Sequence, residues 1–278
     1  MTTELDLHAA EVIDGVLVDL AGPIATVTLS RPERLNALAL ATWARIRDVF
    51  SALEAAPDVR VVLVRGSGDK AFAAGADISE FPQLRLSAAA ARGYNQTLAD
   101  ALQAIAALSL PVIAVVHGLA IGGGCELAAA CDVRIASTDA RLGIPIGRLG
   151  VILGDVESRA VARLIGPARL KELLFSGRLV DAEEALAIGL VDRVVEPAEL
   201  EDAVSALVRS IVRSAPTTMR AAKLVTDMYD RPLDEADART LAKLEQAAYD
   251  GPNLKEGVAA FLEKRRPEFG RRSESPPG

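Results

Sequence analysis

Two alternating apolar and polar runs open the chain, GVLVDL at 15–20 and IATVTLS at 24–30, and the AGP between them predicts a hairpin. The period then lengthens. NALALATWARIRDVFSALEAA at 36–56 has apolar residues at helical spacing, and VRVVLVRGSG at 59–68 returns to strand before a glycine-rich turn. AFAAGADISEF at 71–81 reads as a loop entering a short helix, and residues 88–108 as an Ala/Leu-rich helix. PVIAVVHG at 111–118 has no polar alternation, so it predicts a strand covered on both faces. Three glycines at 122–124 turn that strand into a helix expected over ELAAACD, 126–132, followed by the strand VRIAS. LGIPIGRLGVILG at 142–154 is punctuated by glycine.

Beyond residue 155 helices dominate: one around ESRAVARLIG, one around RLKELLFSG, one in AEEALAIGL, then the strand VDRVVE and helices from 197 to 265. The pattern predicts an α/β core with the functional site over 1–200, a C-terminal helical region over 201–270, and a disordered polar tail, RRSESPPG, over 271–278.

Composition narrows the function. With 31 basic and 38 acidic residues the net charge is −7, and only 4% of residues are aromatic, which argues against a nucleic-acid partner. MTTELDLHAA has neither a basic nor an apolar leader segment, and AIAALSLPVIAVV at 104–116 is too short to span a bilayer, so a cytoplasmic protein without a membrane partner is expected. Cys125 and Cys131 have no histidine cluster near them and read as buried, reduced thiols; no metal is expected.

Candidate chemistry lies in AFAAGADI at 71–78 and AIGGGCEL at 120–127. In each, a strand gives way to small residues and then to a helical run, leaving backbone N–H groups without intrahelical partners. Two such donors converging on one oxygen would stabilise a developing oxyanion; taken singly, either segment also reads as a tight turn lined for packing. Neither matches a phosphate-binding loop or a dinucleotide fingerprint.

Together, KAFAAGADISEF at 70–81, PVIAVVHGLAIGGGCELAAACDVRIAS at 111–137, SRPERLNAL at 30–38 and EGVAAFLEKRRPEF at 256–269 resemble the crotonase family of enoyl-CoA hydratases and isomerases, in the expected order over nearly the whole chain. The resemblance implies a crotonase-type spiral of ββα repeats, a helical region that assembles homotrimers or dimers of trimers, an acyl-CoA thioester as substrate and no separate cofactor. It implies an oxyanion hole made by the N–H groups of Ala76 and Gly123, with Glu126 as catalytic acid or base. For CoA it points to Arg34, Leu35, Ala74 and Ile78, and to Phe261 and Lys264 reaching a neighbouring subunit. Glu33 stands where the family often has lysine.

One departure is chemical. The family's hydratases use a second glutamate twenty residues after the first, and its isomerases generally rely on that same position, which is Ile146 here. An alkyl group cannot transfer a proton. The following GDVES, 154–158, adds Asp155 and Glu157 where relatives carry small residues. They read either as first-turn helix carboxylates or as replacements for the missing acid. Asp77 reads as a structural acid at a helix start, and His117 as a packed histidine at a strand end. Hydration, isomerisation through Glu126, another acyl-CoA reaction, and non-catalytic binding of CoA esters all fit these residues.

Overall fold

The structure, a computed structural model, describes residues 7, 11–228 and 234–270. In chain order it contains β1 (Val16–Ala21), β2 (Ile24–Leu29), α1 (Leu40–Leu53), β3 (Val61–Gly66), β4 (Ala71–Ala73), α2 (Phe81–Leu84), α3 (Ala88–Ala107), β5 (Val112–Val116), β6 (Leu119–Ile121) and α4 (Gly123–Ala130). There follow β7 (Val133–Ser137), β8 (Arg141–Gly143), α5 (Asp155–Ser176), β9 (Val180–Asp181), α6 (Ala182–Ile188), β10 (Arg193–Val195), α7 (Leu200–Val212), α8 (Pro216–Asp227), α9 (Glu235–Asp250) and α10 (Pro252–Leu262).

The hairpin forms as the alternation predicts, with Val16 opposite Leu29 and Ala21 opposite Ile24. Every later strand of the large sheet joins in parallel, giving the order β1-β2-β3-β5-β7-β10. A second sheet has the order β4-β6-β8-β9. The strand pairs β3/β4, β5/β6 and β7/β8 each place one member in each sheet before a helix follows. This stepwise advance is the ββα spiral, and it brings the ends of β4 and β6 side by side.

The apolar run in β5 is buried on both faces, as expected. Val112, Ala114 and Val116 face the main core with Trp43, Phe50 and Leu102. Ile113 and Val115 face the opposite way, with Val61 and Ile135, against Leu200, Val204 and Val208 of α7. A fully buried aliphatic side chain contributes about 1.5–3 kcal/mol, so α7 is an integral layer of the core. Of the helices from residue 200 onwards, α7 packs on the large sheet.

Two expectations about single elements shift: AFA forms β4 where a loop was expected, and α4 starts at Gly123 rather than Glu126. The two helices expected on either side of residue 166 are the two halves of α5, which Gly166, with φ 77° and ψ 156°, breaks just before Pro167. Lys223 ties α8 to the core, donating to Asp132 Oδ2 at 2.9 Å and to the Leu110 carbonyl at 3.1 Å. The expected tail, 271–278, lies outside the described residues.

Candidate active site

The first site loop leaves β4 at Gly75, whose φ of 103° suits glycine. Leu38 brackets the next residue: its N–H donates to the Gly75 carbonyl at 2.8 Å, and its carbonyl accepts from Asp77 N–H at 2.9 Å. In this one-residue parallel bridge the Ala76 N–H faces away from Leu38, and it is not a donor in any backbone hydrogen bond among the described residues.

The PERLNAL segment anchors this loop. Asn36, 2% exposed, donates to the carbonyls of Ser67 at 2.9 Å and Ala71 at 2.8 Å, and its Oδ1 accepts from Arg31 N–H at 3.0 Å. Arg31 in turn donates to the Ala37 carbonyl and to Asp77 Oδ2, each at 2.9 Å. Asp77 Oδ1 accepts from the Ser79 hydroxyl at 2.6 Å and from its N–H at 3.2 Å. Those Ser79 bonds, and next the Arg31 guanidinium, outweigh burial and hold Asp77 below the usual carboxylate range. Asp77 thus has the structural part expected of it.

In the second loop each glycine answers a different constraint. Gly122 has φ 52° and ψ −120°, and its N–H donates to the Gly143 carbonyl at 2.8 Å. A Cβ on Gly123 would lie 2.8 Å from the Trp43 ring, and one on Gly124 would lie 2.1 Å from the Ala73 carbonyl oxygen. The latter two glycines therefore pack the start of α4 onto α1 and β4. Gly123 is the first residue of α4, so its N–H has no intrahelical partner.

Ala76 and Gly123 border a cavity of about 160 Å³ whose wall also includes Glu126, Ile146 and Glu157. Glu126 is 4% exposed in the first turn of α4. Burial first, and then the nearby Glu157, push its carboxyl up to about 8, against the opposing pull of Arg85. Glu157 is 5% exposed, and burial raises it above the usual carboxylate range. Its side chain curls back over Gly154, where an added Cβ would lie 2.3 Å from a carboxylate oxygen.

The structure separates the two acids of GDVES. Asp155 does not line the cavity; its side chain is 75% exposed and accepts from Arg159 Nε at 2.9 Å. As a replacement acid it is therefore corrected to a surface, first-turn carboxylate. His117 also lies off the cavity wall, with burial holding its imidazole below the usual range.

Ala74 and Ile78 line the cavity, and Ala74 N–H donates to the Leu35 carbonyl at 3.0 Å, so Leu35 packs beside it. Arg34 is exposed in the adjoining turn. Phe261 and Lys264 are not brought to this cavity within the chain: Phe261, 83% exposed, lines an apolar groove between α8, α9 and α10, and Lys264 follows it on the surface. The sequence reading missed Arg85, a cavity-wall residue in the link between α2 and α3. No motif marks it, because its partners arrive from another turn.

The titration of Glu126 has a consequence for stability. Its unfolded value is near 4.5 and its folded value about 8, so between those pH values the folded chain keeps a proton that the unfolded chain has released. The group's stabilising contribution is complete below pH 4.5 and fades as pH rises towards 8, at up to about 1.4 kcal/mol per pH unit. Glu126→Gln has no proton to lose. Its Tm should exceed the parent's by a margin that widens from pH 5 to pH 8; parallel Tm profiles would place the Glu126 titration in the ordinary range.

Unengaged backbone donors beside buried carboxylates form a site suited to polarising a carbonyl and moving protons on the carbons next to it. Residues 20–272 match the family model described as enoyl-CoA hydratase/isomerase. The chain belongs to that family and is an acyl-CoA enzyme of the hydratase/isomerase type. It is 38% identical over 263 residues to the crotonyl-CoA hydratase of Syntrophomonas wolfei, covering 92% of this chain and 98% of that one. It is 36% identical over 260 residues to the short-chain-enoyl-CoA hydratase of Clostridium acetobutylicum, covering 92% and 97%. The crystal structure of an enoyl-CoA hydratase/carnithine racemase from Magnetospirillum magneticum superposes with a TM-score of 0.87 at 38% identity, covering 93% of this chain and 96% of that one. The crotonase fold expected from the sequence is thus shown.

Proposed function

We propose that this enzyme hydrates 2-enoyl-CoA thioesters, with Glu126 and Glu157 as its acid–base pair. The observation that carries this reading is the entry of Glu157 into the cavity that holds Glu126, while Ile146 occupies the family's usual second position. Water adds its oxygen to C3 as the ionised glutamate takes its proton. The C2=C3 electron pair moves towards the thioester carbonyl, whose oxygen is held by the N–H groups of Ala76 and Gly123. The protonated glutamate then delivers its proton to C2, and the product carries H at C2 and OH at C3. Burial and mutual repulsion favour one shared proton on the pair. Glu126, drawn up to about 8, is suited to hold it at neutral pH and act as the acid.

Arg34 and Leu35 are assigned to CoA, with Ala74 and Ile78 flanking the pantetheine. Phe261 and Lys264 act on a neighbouring subunit of a homotrimer, singly or as a dimer of trimers. The exposed apolar face of the α8–α10 groove, including Phe261 at 83%, Leu262 at 73% and Tyr249 at 66%, supports such an interface. Among the described residues no helix is long and apolar enough to cross a membrane. Two buried free cysteines, Cys125 and Cys131, support a reducing, cytoplasmic setting.

Incubating the protein with crotonyl-CoA in D₂O and following the products by NMR tests the reading. The 3-hydroxyacyl product with one deuterium at C2 is expected. If crotonyl-CoA persists while 3-hexenoyl-CoA is converted to its 2-enoyl isomer, the enzyme is a one-carboxylate isomerase instead.

A further inference from the structure

Among the described residues, Arg85 is the one basic side chain on the cavity wall. Its guanidinium carbon sits 4.9 Å from the centroid of the Phe81 ring and 4.6 Å from that of Tyr94. One Nη2 hydrogen goes to Asn95 Oδ1 at 2.7 Å, a neutral acceptor. Among the described residues no carboxylate lies within ion-pair distance of it, although surface arginines such as Arg178 and Arg265 each have two. The rings and Asn95 fix the plane of the guanidinium and leave donors uncommitted at the edge of a cavity otherwise lined mainly by aliphatic groups.

A guanidinium held this way is suited to recognise a carboxylate through two parallel hydrogen bonds. Arg85 opposes the burial that raises Glu126 and Glu157, yet among the described residues neither carboxyl lies within ion-pair distance of it, and in the proposed mechanism both are committed to the reacting carbons. Its uncommitted donors are left for an anion that arrives with the ligand. We propose that Arg85 is a specificity-determining residue, and that the acyl group of the preferred substrate carries a carboxylate at its distal end, paired with Arg85. The proposal rests on the reading that this cavity receives the acyl group. It does not depend on whether the subsequent step is hydration or isomerisation.

Binding of two saturated, unreactive thioesters tests this apart from catalysis: glutaryl-CoA, which ends in a carboxylate, and 5-methylhexanoyl-CoA, whose neutral branched tail has the same number of heavy atoms. Isothermal titration is expected to give the parent protein a Kd at least tenfold lower for glutaryl-CoA. In Arg85→Gln that ratio should fall close to one, and Arg85→Lys should restore part of it by keeping the charge. Equal Kd values for the two ligands in the parent overturn the proposal. So does a glutaryl preference that persists in Arg85→Gln, since the carboxylate would then be read elsewhere. A residue that only tuned the glutamates would alter the pH profile without changing this ratio. Hydration of crotonyl-CoA, measured separately, tells failure of the function from failure of the specificity.

Discussion

Glu157→Gln is expected to lower kcat for crotonyl-CoA hydration by about 100- to 10,000-fold, the usual contribution of a positioned acid or base. KM should stay within a few-fold, because the assigned carbonyl-binding donors are main-chain N–H groups that the substitution leaves in place. The same change should alter the pH profile. Repulsion from Glu157 is the second cause holding Glu126 near 8, so its removal should move the alkaline limb to lower pH. Asp155→Asn is the matched control, since Asp155 is exposed and paired with Arg159. Its kcat should be near the parent's. Glu126→Gln alone should cost about as much as the double replacement if the two carboxyls act as a unit. Near-parental kcat in Glu157→Gln would remove that residue from the mechanism and leave Glu126 to act alone.

Gly124→Ala should have the largest structural effect of a single added methyl. The new Cβ would stand 2.1 Å from the Ala73 oxygen and 2.9 Å from the Ala73 carbonyl carbon and Cβ, so most of the clash is with main chain that cannot swing aside. Overpacking typically costs about 1–3 kcal/mol and occasionally more. Here a loss of about 3 kcal/mol or more is expected, a fall in Tm of at least about 6 °C. Activity should fall further than stability explains, because β4 and α4 carry the Ala76 and Gly123 donors and would be forced apart. Losing one such donor costs about 100- to 1000-fold in rate. Gly93→Ala is the contrast: on an exposed turn of α3 with nothing within 4 Å, it should be neutral or slightly stabilising. A Gly124→Ala protein with parental Tm and kcat would show that β4 and α4 can separate freely.

Much of the site was legible because it is local. The AAGAD and GGGCE segments each place a strand end, small residues and a helix start within a few positions. The anchoring part of PERLNAL was not legible, because its bonds to Ser67, Ala71 and Gly75 join segments far apart in the chain. The two-faced burial of β5 was legible, since it is written in five consecutive apolar residues. Helix starts were less so. Glycine has a poor helical propensity, yet Gly123 and Gly124 open α4 because Trp43 and Ala73 leave no room for anything larger.

The amino-acid order by itself determined the succession of helices and of the large sheet's strands, the two loops, the presence of Glu126 and the absence of a carboxylate at Ile146, but not the short strands of the second sheet. Tertiary structure alone decided which acid of GDVES enters the cavity. Asp155 and Glu157 are the first and third residues of α5, about 200° apart around the helix, so packing that turns one inward leaves the other in solvent. It also brought Arg85 to the cavity wall and left the α8–α10 groove open within one chain. Such facts depend on distances between segments far apart in sequence, and those distances are set by how the sheets stack and the helices pack.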